Sequence, residues 1–265
     1  MLFKLRGQLP NQVSLAIQVM GFFMLIGIWE TTARMGLVTS ALMPAPSSVI
    51  MSFKQLHFED ALLRNLGFSI KLNLLGYLEA ILIAVPLGFI IGLFPFFREL
   101  TRKYVDAMRF VPLTALTGLF IAWFGIGTSM KVHFLAFGII VYLLPVVVQR
   151  ISEVDEVYCD TVYTIGATNW QTIRYVFIPD VMSKLADDIR ILTAISWTYI
   201  IVAELVNKAD GGVGALAFTA ARQSRIDKVF AILLVIVAVG FLQDKIVMFL
   251  DKHLFPHKAM GNKRG

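Results

Sequence analysis

Residues 132–149 read VHFLAFGIIVYLLPVVVQ, a stretch without a single Asp, Glu, Lys or Arg. An uncharged apolar helix of that length crosses a hydrocarbon core of about 30 Å at about 1.5 Å per residue. Outward from it, comparable runs occupy residues 13–29, 72–95, 111–125, 189–206 and 229–250. The pattern predicts an all-α polytopic membrane protein with about six transmembrane helices, a single transmembrane domain over residues 1–265. Composition agrees: 57% of residues are hydrophobic and 16% charged, against about 25% charged in soluble domains. The first run, near Val13, has no small-residue cleavage site after it and is expected to stay as a span.

The run 111–125 is the weakest, because Pro112, Thr114, Thr117 and Gly118 interrupt it before the Gly125 to Gly127 turn. A helix so short and polar has to be shielded by protein or line a wet cavity. Pro112, Thr114 and Thr117 are therefore candidates for a translocation path. Gly88 and Gly92, four apart in the second run, allow close helix approach, with packing expected before dimerisation. Residues 98–109 have Leu100, Tyr104 and Met108 at four-residue spacing, which predicts a helix lying at the inner interface. Residues 44–48 predict a turn and then a helix start.

The net charge of +6 needs no nucleic acid, since the Lys and Arg residues sit beside apolar runs. With the N-terminus inside, the inner segments hold Lys4, Arg6, Arg98, Arg102, Lys103, Arg109, Arg150, Arg174, Lys184, Arg190, Lys252, Lys258, Lys263 and Arg264. The outer segments hold fewer, although residues 208–228 are as basic as an inner loop. Basic residues are retained on the cytoplasmic side, so both termini are expected to be cytoplasmic. Cys159 is the one cysteine and excludes an intramolecular disulfide. His57, His133, His253 and His257 are too dispersed for a metal site.

The inner loop between Arg150 and Arg190 is long for a connection between spans. Residues 155–165 predict a helix that meets Gly166, the residue that best accepts a left-handed helix end. Thr168-Asn169-Trp170-Gln171 fits a capping box, so a second helix starts at Thr168. It is expected to stop at Ile178, because Pro179 lacks the amide donor. Trp170, Ile173 and Phe177 then share one face, fit either for packing on the chain's own inner ends or for docking into a partner.

Residues 160–179 resemble the EAA loop of permease subunits of bacterial ATP-binding-cassette importers. Asp160 stands for the acid, Thr161 and Val162 for the two alanines, Ile165-Gly166-Ala167-Thr168 for the Leu-Gly-Ala-Ser that follows, and Ile178-Pro179 for the closing Leu-Pro. The Gly-to-Pro spacing is kept, while the Glu and both alanines are replaced. Leu42-Met43-Pro44-Ala45-Pro46, Trp123-Phe124-Gly125-Ile126-Gly127, Ala203-Glu204-Leu205 after Trp197, and Gly211-Gly212-Val213-Gly214 are similar to segments of the nitrate/sulfonate/taurine-type permeases, in the same order. The chain departs from the family's Arg-Pro-Val-Pro-Pro with Arg109-Phe110-Val111-Pro112-Leu113, near the expected path.

The resemblance implies a permease subunit paired with a second copy of itself or a close relative. It also implies an ATP-binding cassette subunit below each copy and a periplasmic or lipid-anchored solute-binding protein above. Asp160, Gly166, Ala167, Thr168, Trp170, Gln171, Ile173, Phe177 and Pro179 become the ATPase-coupling residues of a cytoplasmic coupling-helix loop at about 155–180. The solute implied is a small anion such as nitrate, sulfonate or bicarbonate, and the location is the bacterial inner membrane.

No phosphate-cradling Gly-x-x-x-x-Gly-Lys-Ser/Thr sequence is present, so ATP and Mg are expected on the partner, and this chain is expected not to be an enzyme. Glu204, at the end of an apolar run, either faces the outer end of the path or is merely interfacial. Trp197 and Thr198 in the same run are further path candidates. The alternative is an ion-coupled secondary transporter, expected to bury more ionisable residues than Glu204 and Lys71 near span ends. A membrane enzyme would need a clustered catalytic constellation.

Overall fold

The computed structural model describes residue 7 and residues 9–255 of the chain. Lys4, Arg6, Lys258, Lys263 and Arg264, which contribute to the charge asymmetry, and His257 lie outside the described residues. In chain order the helices are α1 (Asn11–Arg34), α2 (Pro46–Phe58), α3 (Leu62–Leu93), α4 (Pro95–Met108), α5 (Thr117–Phe124), α6 (Thr128–Ser152) and α7 (Glu156–Thr164). They continue with α8 (Asn169–Thr172), α9 (Ile178–Val206), α10 (Val213–Arg222) and α11 (Ile226–Leu254). Among the described residues five helical stretches are long and apolar enough to cross a membrane, or six if α4 with residues 113–124 counts as one broken span bent by 96°.

That bend replaces the straight third span expected at 111–125. Pro112 is extended and leads into a 3-10 turn, Leu113–Leu116, before the eight residues of α5. A proline disfavours helical conformation in the residue before it, so α4 cannot run on through Pro112.

Contacts divide the chain into two compact units, one formed up to Leu62 together with Ala217–Leu234, the other from Leu63–Leu216 together with the chain from Val235 onward. In the first, Trp29 donates its indole N–H to the Pro44 carbonyl at 3.0 Å and lies 5.5 Å from the ring of Phe230. The Glu30 carboxylate accepts from the Ser47 amide at 3.0 Å and its hydroxyl at 2.8 Å. This satisfies a first-turn N–H of α2 that has no partner within the helix.

In the second unit α6 and α9 form the central pair. Leu113, Phe120, Met130, Phe134 and Ala203 bury a common apolar cluster. Gly76, Gly88 and Gly92 line the side of α3 that meets α6. A Cβ at these positions would stand 2.7 Å from Leu135, 2.5 Å from Val147 and 2.6 Å from Ile151. The Gly88/Gly92 spacing therefore serves packing within the chain. Gly88→Leu is expected to force these helices apart at a cost of about 1–3 kcal/mol or more. A lowered thermal midpoint in detergent would show it, and an unchanged midpoint would contradict the packing.

The stop expected at Ile178 does not occur. The chain is helical without interruption over Asn169–Val206, and Pro179 lies in the first turn of α9. The reason is local: residues Ile173–Phe177 widen into a π-helix, in which the Ile178 amide donates five residues back to Ile173. Such widening relieves the clash between a proline ring and the carbonyl four residues earlier.

Candidate functional site

Two constellations stand out in the second unit, at opposite ends of α9. At its start lies the loop of residues 155–180. The Asp155 carboxylate caps α7 by accepting from the Val157 amide at 3.0 Å. At the other end of α7, Gly166 has φ +86°. The Ala167 amide donates to the Val162 carbonyl at 3.0 Å and the Gly166 amide to Tyr163 at 2.9 Å. That pair of bonds is a Schellman termination, which requires a left-handed residue at Gly166.

The capping box is present. The Gln171 amide donates to the Thr168 hydroxyl at 3.3 Å, and the Thr168 amide donates to the Gln171 side chain at 2.8 Å. The loop is thus a rigid corner, although it contains few residues.

The corner displays apolar side chains outward. Trp170 is 65% exposed, and Ile165, Tyr158 and Tyr175 are exposed with it. Asp160, Thr168 and Gln171 are exposed, and Ala167, Ile173 and Phe177 half-buried. One side of Trp170, with Ile173, Ile178 and Met182, borders an apolar groove of about 400 Å³ whose other wall is Pro86, Phe89 and neighbours on α3. Trp170 therefore touches the chain's own helices and still offers most of its ring to a partner. An apolar cluster on an otherwise polar loop marks an interaction surface.

The base of the loop is tied. Arg150 at the end of α6 makes a two-pronged contact to Asp188 on α9, at 2.7 and 2.8 Å, and a third to Glu153 at 2.7 Å. Two parallel N–H bonds to one carboxylate fix orientation as well as distance. The Arg150 guanidinium holds the Glu153 carboxyl below the usual carboxylate range. Burial, then the charges of Asp160, Glu156 and Asp155, push the Cys159 thiol up, so little thiolate is present at neutral pH.

The second constellation is at the other end of α9. Glu204 is 0% exposed. One carboxylate oxygen accepts from the Ser69 hydroxyl, and the other accepts from the Gly214 amide at 2.7 Å. Ser69 in turn accepts from the Val213 amide at 2.9 Å, and Asn65 accepts from Gly212 at 2.8 Å. Gly211 and Gly212 have φ +88° and +110°. A Cβ on Gly212 would fall on the Glu204 carboxylate, and one on Gly214 would come 2.9 Å from the backbone of Ile201. Beside this clasp, Lys131 donates to the Asn207 carbonyl at 2.8 Å and pairs with Asp210 at 3.1 Å.

Glu204 is thus enclosed, with one donor on each carboxylate oxygen. Trp197 is buried, donating its indole N–H to Gln243 at 3.0 Å. Pro112, Thr114 and Thr198 are exposed and Thr117 half-buried, with the Thr117 hydroxyl on the Thr114 carbonyl at 2.8 Å. The six path candidates are accordingly not gathered into one lining within the single chain.

Residues 84–256 match the family described as binding-protein-dependent transport system inner membrane component. The chain belongs to that family. The permease is 30% identical over 234 residues, 87% of its length and 83% of the relative's, to SsuC of Bacillus subtilis (strain 168), a protein named for aliphatic sulfonates transport. It is 27% identical to the taurine transport system permease protein TauC of Escherichia coli (strain K12), over 96% of this chain and 93% of that one. Among solved structures, a chain of the inward-facing MetNI methionine ABC transporter superposes with a TM-score of 0.64 at 17% identity, covering 74% of this chain and 95% of its own. That likeness shows the fold. The permease is an inner-membrane, multi-pass subunit of an ATP-binding-cassette importer. Its family implies an ATPase partner and a solute-binding protein.

Arg150, Asp188, Lys131 and Glu79 carry no signal in any motif, yet each makes a defined contact. For Glu79 and Lys131 the available signal was isolation, a lone ionisable residue among apolar neighbours. Ionisable side chains within spans are more numerous than Glu204 and Lys71 alone. The family, and not that count, decides against the ion-coupled alternative.

Proposed function

We propose that the loop of residues 155–180 is the surface through which the permease receives the motion of its ATP-hydrolysing partner, with ATP and Mg bound on that partner. The observation that carries this is the corner itself: a left-handed Gly166 turn followed at once by a capped helix, displaying an exposed Trp170 from a base tied by Arg150 and Asp188. A rigid corner transmits a push, because α8 runs through the π turn into α9 without a break. Displacement of Trp170 is then displacement of α9, whose far end holds the Glu204 clasp.

In this reading two copies surround the solute path, both termini are cytoplasmic, and a binding protein delivers solute from the other side. The solute is a small organic anion, a reading supported by relatives named for aliphatic sulfonates and taurine. The binding protein sets most of the affinity. The path candidates Pro112, Thr114, Thr117 and Thr198 contribute only once two copies meet.

The test is cross-linking in the intact complex. Ile165, 82% exposed at the tip of the corner, is replaced by Cys in a Cys159→Ser background and treated with a short reagent that carries a thiol-reactive maleimide and a photoactivated group able to insert into any neighbouring side chain. A covalent adduct with the ATPase subunit is expected, and it would put the loop on the cytosolic side. An adduct with the binding protein, or with neither, would overturn the proposal.

A further inference from the structure

Phe94 is extended and Pro95 opens α4, a position where the missing amide costs nothing. The Arg98 guanidinium donates to the Gly92 carbonyl, one of those that the end of α3 leaves without a helical partner. The corner between the two helices is thereby set, and from it α4 packs against α6.

The packing is inverted. A helix in water turns its apolar stripe to the core, whereas α4 turns its charged side to its own chain. Arg98, Glu99, Arg102 and Asp106 line a groove of about 470 Å³ with Gln149 and Ser152 at the end of α6. Phe96, Leu100 and Tyr104, at four-residue spacing, share the other side. Phe96 and Tyr104 are each 72% exposed, and Leu100 is exposed between them. The Phe97 ring joins this face at 5.3 Å from Phe96. An apolar patch of that kind marks a surface that something apolar covers.

Position and charge name the cover. Two membrane-crossing helices end beside α4, with α3 finishing at Leu93 and α6 at Ser152. The 96° bend from residues 113–124 turns α4 off the line of that segment. A helix there, with rings on one side and cations on the other, has the pattern of one lying in the bilayer boundary. With its C-cap it carries Arg98, Arg102, Lys103 and Arg109 against Glu99 and Asp106. Among the described residues Arg102 and Lys103 make no hydrogen bond or ion pair, and Arg109 meets Asp106 only at 3.7 Å. Phosphates of an anionic lipid surface satisfy such cations, each contributing about fivefold in binding. A second copy laid face to face on α4 would instead set one basic excess against another.

We propose that α4 docks on an anionic lipid surface, with Phe96, Phe97, Leu100 and Tyr104 in the acyl boundary and Arg102, Lys103 and Arg109 on the phosphates. The permease thereby gathers anionic lipid at the end of α6 from which the loop of residues 155–180 emerges. The docking depends on the membrane placement of the chain and not on the coupling role of that loop.

The experiment uses the full complex in phosphatidylcholine nanodiscs. In a Cys159→Ser background, Leu100→Cys and, separately, Tyr104→Cys carry a bimane fluorophore. A minor fraction of lipid with a nitroxide high on its acyl chain is added, either as phosphatidylglycerol or as phosphatidylcholine. Quenching at one position or both is expected, stronger by about twofold or more with the phosphatidylglycerol. Adding Arg102→Gln and Lys103→Gln together is expected to remove that preference while quenching persists.

No quenching at either position, or an oxidative cross-link between two copies through Leu100→Cys, means that protein covers the face and overturns the docking. Equal quenching by the two lipids before the arginine and lysine are changed, or a preference that survives their change, overturns the anionic assignment. Retention of the ATPase subunit in the same nanodiscs reports separately on the coupling reading.

Discussion

Gly166→Val is expected to leave the permease inserted and folded while abolishing most of its association with the ATPase subunit. No heavy atom lies within 4 Å of where a Cβ would stand at Gly166, so the effect is not a clash. It arises from φ +86°, which costs a residue with a β-carbon about 1–2 kcal/mol, and a β-branched residue more. The loop escapes by abandoning the Schellman bonds from Gly166 and Ala167. Then α7 no longer sits where the turn has set it against α8, whose own direction is fixed by its continuity with α9.

The spans do not depend on that turn. Yield and detergent stability should remain near wild type, while co-purified ATPase falls about tenfold or more and uptake falls with it. Trp170→Ala leaves the turn intact and removes the largest exposed apolar anchor, for which losses of about 2 kcal/mol are typical at interface centres. Co-purification and uptake are measured for both. If both variants keep the ATPase subunit and transport normally, the loop is not the coupling surface.

Gly212→Ala is expected to be strongly destabilising, since among the described glycines Gly212 has the shortest Cβ contact. Its Cβ would overlap the Glu204 carboxylate, and φ +110° already disfavours any side chain. The carboxylate would have to leave Ser69 and Gly214, and breaking a buried polar network of this kind costs about 3–5 kcal/mol. Glu204→Gln is milder and informative. Both carboxylate oxygens face donors, so the amide that replaces one of them forces the Ser69 hydroxyl to give up its donated bond and accept instead. That exchange costs about 1–3 kcal/mol.

Glu204→Gln should therefore lower stability and assembly as well as transport, since its carboxylate joins the end of α9 to Ser69 and Gly214. Thermal unfolding in detergent, with monodispersity by size exclusion, separates the two variants. Wild-type stability in Gly212→Ala would show that the clasp does not hold the end of α9.

Much of this protein was legible before any coordinates. Uncharged runs such as residues 132–149 admit one kind of solvent, and the lipid phase admits one kind of isolated segment, because every backbone group has to find its partner locally. The corner at Gly166 was legible for the same reason: the Schellman turn and the Thr168–Gln171 box are built from bonds between residues a few positions apart. The helix over Pro179 was not legible, because propensity treats proline as a stop. The π turn that carries the chain past it is a local widening at Ile173–Phe177, which proline's propensity does not encode.

What the sequence determined by itself was local: spans, turns, caps and the spacing that aims the loop. What only the tertiary structure decided was pairing between distant positions. Glu204 meets Ser69 from 135 residues away, Arg150 meets Asp188 from 38 and Glu79 meets His133 from 54. Nothing in either residue of such a pair encodes its distance to the other. It is set by how closely helices approach, through contacts such as Gly88 on Val147, and a buried charge reveals its role only when the donor that neutralises its desolvation is seen beside it.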